Sequence, residues 1–196
     1  SDVCSSDLQT RELIERLDAA TSEGGVEEVT AGVKEALSEC VDAGLLQLGE
    51  AWTRPRADGY GRRLLHRSPD GRYTVIAMVW GSGQGTPIHD HDDMWCVECV
   101  YQGQILVTSY DVCPTANPDQ VTFEFCDKVE ASIGEAGALI PPHDYHVIEN
   151  RGEVTAVTIH VYGGEMEACN IFEPVEGSSH LYESRRKPLS YDAPAT

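Results

Sequence analysis

Positive charge is scarce in this sequence. Lysine occurs only at Lys34, Lys128 and Lys187, and Lys and Arg together number 14 against 33 Asp and Glu, a formal net charge of −19. A surface this acidic repels phosphate backbones and lacks the basic footprint of a nucleic-acid binder, so no nucleic-acid partner is expected. Also missing is any apolar run near the roughly 20 residues that span a bilayer. The first ten residues have neither the basic start nor the apolar stretch of an export signal. No membrane partner is expected. The seven cysteines are an odd number, which with no export signal does not suit a disulfide framework, so the cytoplasm is the expected compartment. Against these absences, 41% of the residues are apolar, enough to exclude disorder, and 196 residues fit one domain.

The chain changes character once. Over residues 9–48, apolar side chains recur at helical spacing: Leu13, Ile14 and Leu17, then Val26, Val29, Val33, Ala36, Leu37, Cys40 and Val41. Residues 21–25 (TSEGG) interrupt the pattern, so two helices are expected, the second ending near Gly44 and burying a stripe of Val26, Val29, Val33 and Leu37. The first eight residues carry no pattern. From Gly61 onward the reading is β, with candidate strands at 63–65, 73–80, 94–101, 104–111, 120–126, 138–140, 147–149, 154–162 and 169–172, separated by turn residues at the spacing of a sandwich or small barrel. Three parts are expected: a helical extension over 1–50 packed on the barrel, a β domain over 51–176, and a polar, peripheral tail over 177–196.

The most informative stretch is Gly83-Gln-Gly-Thr-Pro-Ile-His89-Asp-His91. Histidines at i and i+2 on an extended segment face the same way and can converge on one ion, while Asp90 points away. His146, in His143-Asp-Tyr-His146-Val-Ile-Glu-Asn150, is a third candidate from another strand, with His143 its competitor. The pattern Gly83-x5-His89-x-His91-x4-Cys96-x6-Gly103 resembles the first cupin motif with cysteine in the place of a glutamate ligand, and His146-x3-Asn150 resembles the end of the second. Three histidines and no carboxylate ligand is similar to the cysteine dioxygenase group of thiol dioxygenases. The strand Thr158-Ile-His160-Val-Tyr162 is similar to that group's Ser-x-His-x-Tyr strand, and Tyr60-Gly-Arg62-Arg63 to its Tyr-x-Arg segment.

The resemblance implies a mainly β cupin fold, a double-stranded β-helix or jelly-roll barrel with an N-terminal two-helix extension. It also implies a ferrous ion on His89, His91 and His146, and a small thiol and dioxygen as reactants. Thr158, His160 and Tyr162 would form a hydrogen-bonded triad beside the ion, and Cys96 and Tyr162 a thioether cross-link. Arg62, near Tyr60, would bind a substrate carboxylate, with Arg63 the alternative by one residue. The expected product is a sulfinate, with L-cysteine the first choice of substrate. The alternatives are 3-mercaptopropionate or another thiol, suggested by Gly163-Gly164, a cysteine-modifying oxygenase of a specialised pathway, and a non-catalytic metal-binding module. A monomer or weak homo-oligomer is expected. Trp80 is read as a packing residue, Cys99, Cys113, Cys126 and Cys169 as buried thiols, and His66, His180, Arg185 and Arg186 as surface features.

Overall fold

A computed structural model describes residues 3–195, with side chains from residue 10 onward. Two antiparallel helices lead, α1 (Val3–Ala20) and α2 (Val26–Asp42), followed by a single turn, α3 (Glu50–Thr53). On α2 the buried side chains are Thr30, Val33, Ala36, Leu37 and Cys40, a stripe at three- and four-residue spacing. Gly44, at φ +65, ends this helix in the left-handed region that glycine enters without strain.

Eleven strands follow among the described residues: β1 (Gly61–Arg67), β2 (Thr74–Trp80), β3 (Ile88–His89), β4 (Cys96–Gln102), β5 (Gln104–Pro114), β6 (Gln120–Ser132), β7 (Ala136–Leu139), β8 (Tyr145–Glu149), β9 (Ala156–Tyr162), β10 (Ala168–Pro174) and β11 (Tyr182–Pro188). One sheet runs β1-β2-β9-β4-β7; the other closes in the order β10-β11-β6-β5-β8-β3. The result is a mainly β, cupin-type double-stranded β-helix with a helical N-terminal extension.

The first sheet is covered on both faces. Every residue of β2 and β9 is buried. Val75 and Ala77 of β2, Val97 and Cys99 of β4, and Ile159 and Val161 of β9 pack outward against Leu13, Leu17, Val33 and Leu37 of the helices. The opposite parity, Ile76, Met78, Trp80, Cys96, Val100 and Tyr162, packs into the barrel. Each aliphatic side chain fully buried this way contributes about 1.5–3 kcal/mol. With its outer face sealed by helices, the sheet can hold polar groups inside, and Thr158 and His160 lie there fully buried.

Four expectations need correction. The segment after Gly177 is no peripheral tail: β11 pairs with β10 and β6, and Asp192 exchanges backbone and side-chain bonds with Arg62 (Asp192 N to Arg62 O 2.7 Å; Arg62 N to Asp192 Oδ2 2.8 Å). Its polarity reflects a solvated outer face, where Arg185 pairs with Glu173 across the strands. Val26 is exposed, and Thr30 takes a place in the α2 stripe because the helix begins one turn away from the sheet. Cys126 is exposed and Cys113 half-buried, since β6 turns its middle to solvent, whereas Cys99 and Cys169 are buried. His66 lies partly buried against Tyr73 (ring centroids 5.8 Å) rather than on the surface.

Leu37 and Val26 test this packing on one helix. Leu37→Ala is expected to lower unfolding free energy by about 2–5 kcal/mol in urea titrations, and Val26→Ala to change it by less than about 0.5 kcal/mol.

Candidate metal centre

Strand register builds the centre. β3 pairs with β8 so that His89 stands directly opposite His146, while its other edge pairs with β10. His91 follows two residues after His89. The ligand-capable nitrogens of His89, His91 and His146 lie within 4.8 Å of one another, and the Nε2 atoms of His89 and His146 are 3.2 Å apart. Neighbouring nitrogens on one ion, each about 2.0–2.1 Å from it, stand at about this separation. His143, the competitor, is exposed on the rim and bonded through Nδ1 to Asp111 (3.0 Å). Asp90 turns away to accept hydrogen bonds from Asn170 N and Nδ2 (2.8 and 2.7 Å). Asn150 ties the site's loops together, its Nδ2 donating to the carbonyls of Trp80, Gly81 and Val154.

An imidazole offering Nε2 to a metal keeps its proton on Nδ1, which needs an acceptor. His89 has the Pro87 carbonyl at 3.1 Å, and His91 has Asp144 Oδ2 at 3.1 Å. Asp144 is buried and also accepts from the His91 backbone N–H (3.0 Å). Sequence reasoning passed it over, although a carboxylate two residues before His146 and placed among the histidines was a usable signal. Burial pushes the His89 imidazole down to about 3, and burial together with neighbouring imidazoles holds His146 well below the ordinary histidine range. Three converging imidazole nitrogens, two of them on rings whose Nδ1 is already engaged, are a donor set that fits a divalent transition-metal ion.

Beside this cluster, Thr158 Oγ1 lies 2.7 Å from His160 Nε2, and His160 Nδ1 lies 3.4 Å from the Tyr162 hydroxyl. Trp80 Nε1 donates to Thr158 Oγ1 (2.9 Å), so this tryptophan supports the row as well as packing. Burial pushes the Tyr162 phenol well above its ordinary value, which keeps it a hydrogen-bond donor. Cys96 is opposite Tyr162 in the β4–β9 register, and its Sγ is 3.9 Å from His160 Nδ1. Glu98, two residues on, faces the same interior, and burial pushes its carboxyl up to about 8.

The parity of β1 decides between the two arginines. Arg62 pairs with Met78, which faces inward, and Arg63 with Ala77, which faces the helices. Arg62 donates from Nη2 to the Met166 carbonyl (3.2 Å), leaves Nη1 buried without a partner, and lies under the ring of Tyr191 (4.8 Å). Arg63 instead donates to the Arg54 carbonyl (2.7 Å). A small cavity of about 20 Å³ lies among Arg62, Met78, the three histidines and Tyr162. Tyr60, Arg62 and Leu189 line both this cavity and an outer vestibule of about 340 Å³ that includes Lys187 and Asp192. Gly163 and Gly164 line neither. A Cβ at Gly163 would stand 2.3 Å from Trp95 Nε1, so packing of that indole requires the glycine.

The sequence pattern of the family described as cysteine dioxygenase type I matches residues 50–174. The chain belongs to this family. Curated relatives include cysteine dioxygenase type 1 of Rattus norvegicus, 28% identical over 121 residues, and that of Homo sapiens, 27% identical over 121. Each match covers 60% of this chain and 58% of the relative, so the chain spans under two thirds of their length. Similar solved structures include one from Thermus thermophilus (TM-score 0.47, 14% identity, covering 61% of this chain and 96% of that one). Another is a double-stranded β-helix protein from Klebsiella pneumoniae (TM-score 0.44, 15% identity, covering 61% and 92%). No helix among the described residues is long and apolar enough to cross a membrane.

Two outcomes follow from this geometry. His146→Ala is expected to weaken Co(II) or Fe(II) binding, read by anaerobic chelator competition, by more than the roughly 10–100-fold that loss of a supporting contact costs, while His143→Ala leaves it unchanged. The second concerns pH. With folded values below 6.5, His89, His146 and His160 take up protons on unfolding, so their stability contribution is full above 6.5 and is lost progressively as pH falls below it, for His89 toward about 3. Glu98 acts oppositely, stabilising below 4.5 and losing that contribution as pH rises toward about 8. Three groups outweigh one, and the urea midpoint of the metal-free protein is expected to fall as pH drops from 6.5 to about 5.

Proposed function

We propose that this chain is an iron(II)-dependent thiol dioxygenase that converts L-cysteine to its sulfinate. The observation that carries the reading is a three-imidazole centre without a carboxylate ligand, sharing its cavity with an arginine whose Nη1 is buried and unpaired. Three neutral ligands leave the charge of a ferrous ion uncompensated, which suits an anionic thiolate. Bound there, the ion would hold thiolate and dioxygen side by side and keep the thiol deprotonated.

The chain's own residues supply the rest. Arg62 offers its guanidinium fork to a carboxylate at a fixed distance from the centre, which selects a short carboxylated thiol. Tyr60 borders the same opening and holds Lys187 through its hydroxyl (3.2 Å). Tyr162, kept protonated by burial, donates its hydroxyl proton toward oxygen atoms in the cavity, with His160 and Thr158 behind it. Cys96 stands where a thioether to the Tyr162 ring would lock that phenol in position. Since Gly163 answers to Trp95, the Gly163-Gly164 pair gives no reason to move the substrate from L-cysteine to 3-mercaptopropionate.

Protein loaded anaerobically with Fe(II) is expected to consume dioxygen with L-cysteine and to place both atoms of labelled dioxygen in the sulfinate. Cysteamine, which lacks a carboxylate, should be a poor substrate. Arg62→Ala is expected to lower kcat/KM by about 10–100-fold, the size of one lost charge-assisted contact. After turnover, intact mass should be lower by two hydrogens in the wild type and unchanged in Cys96→Ala. Absence of uptake with every carboxylated thiol tested would end this reading.

A further inference from the structure

Glu98 has no part in the scheme above, yet it touches both halves of the site. It lies on β4 opposite His160 in the β4–β9 register, 5% exposed, between Cys96 and Val100 on the barrel's inner face. Its Oε1 is 3.9 Å from His146 Nδ1 and its Oε2 3.6 Å from His160 Nδ1. Two of these four atoms, Glu98 Oε2 and His146 Nδ1, are buried without a hydrogen-bond partner. A buried polar atom left so is destabilising, and the remedy for each lies within the same trio.

Two of the three histidines have an Nδ1 acceptor at 3.1 Å, the Pro87 carbonyl and Asp144, and the third has none within bonding distance. We infer that Glu98 is the missing third acceptor, a positioning residue that takes the Nδ1–H of His146 on one carboxyl oxygen and the Nδ1–H of His160 on the other. The two donors favour the ionised carboxylate, which burial disfavours while the contacts stay open. Closing the His146 contact needs a movement of about 1 Å to reach ordinary hydrogen-bond length. On the other side, a proton on His160 Nδ1 leaves Nε2 to accept from the Thr158 hydroxyl, whose oxygen already accepts from Trp80 Nε1. Donation then runs in one direction, Trp80 to Thr158 to His160 to Glu98. The proton of the Tyr162 hydroxyl is not drawn to His160 and is free for the cavity. Glu98 thereby sets the tautomers of a metal ligand and of the triad histidine together. The consequence for Tyr162 rests on the proposed function; the His146 contact needs only the metal centre.

Behind Glu98 lies a separate cavity of about 280 Å³, lined by apolar side chains such as Ile105, Val107 and Leu139. It supplies the competing explanation, a carboxyl that serves only to wet this space. Glu98→Leu and Glu98→Gln separate the two. In chelator competition with Co(II), Glu98→Leu is expected to raise the metal Kd by about 10–100-fold, and Glu98→Gln, which keeps one acceptor oxygen, by much less. In Zn(II)-loaded protein, long-range nitrogen–proton NMR should find both imidazoles protonated on Nδ1. In Glu98→Gln one of them must switch, because a carboxamide offers one acceptor and one donor. Equal metal affinity in the wild type and Glu98→Leu overturns the inference. Imidazole spectra of Glu98→Gln identical to the wild type also overturn it, including where Glu98→Leu fails to fold. Neither measurement requires turnover, so a protein without dioxygenase activity still gives a decisive answer.

Discussion

The pairing of His89 with His146 across β3 and β8 is the contact on which the centre depends. Side chains alternate along a strand, so a slip of β3 by one residue would turn His89 away from the interior and part it from His146. β3 contributes two residues to the ladder, too few to hold a register alone. The hold comes from its flanks: Ile171 and Phe172 of β10 on one edge, Asp90 clasping Asn170, and Asn150 joining the loop before β3 to the end of β8. The Gly83 N–H donates to the Asn150 carbonyl and the Asn150 N–H to the Gln84 carbonyl, fixing the same two segments through their backbones. The Gly83 and Asn150 positions of the two sequence motifs are therefore register devices, and the histidines are their beneficiaries.

Burial sets the chemistry that register makes possible. The helices seal the outer face of the first sheet with Leu17, Val33 and Leu37, and the inner face can then carry Thr158, His160 and Glu98 out of contact with water. In such surroundings a polar group without a partner is costly and a proton has few places to go. The imidazoles of His89, His146 and His160 remain neutral, the phenol of Tyr162 remains protonated, and the donor-only indole of Trp80 and the acceptor-only carbonyl of Pro87 fix the direction of the bonds they make.

Most of the barrel was legible because its strands are short, alternate and end in turn residues. The three histidines and the Thr158-His160-Tyr162 row were legible because period-two parity and motif spacing survive in the bare sequence. Residues acting through space were not. Asp144 and Glu98 look like ordinary surface acids in a chain with 33 of them, and only folding removes them from water. β11 reads as a tail in the sequence because a strand with a solvated outer face and few apolar residues has little periodic signal. Val26 fits a buried stripe by spacing alone because spacing gives the period of a helix but not the phase at which it meets its neighbour.

The site also extends past the stretch matched by the family. All three histidines, Cys96, Glu98 and the Thr158-His160-Tyr162 row lie within the stretch matched by the family, residues 50–174. Lys187, Leu189, Tyr191 and Asp192 lie beyond it. Yet Tyr191 stacks on Arg62, Asp192 fixes the Arg62 backbone, and Lys187 and Leu189 border the vestibule. A change in β11 or the residues after it would therefore redirect the arginine and reshape the entrance without touching a metal ligand. A metal centre held within the family-matched stretch and an entrance built from outside it is an arrangement in which the entrance can change while the centre does not. The Arg62 side chain, anchored on the first strand and stacked on Tyr191 from beyond the last, is where those two constraints meet.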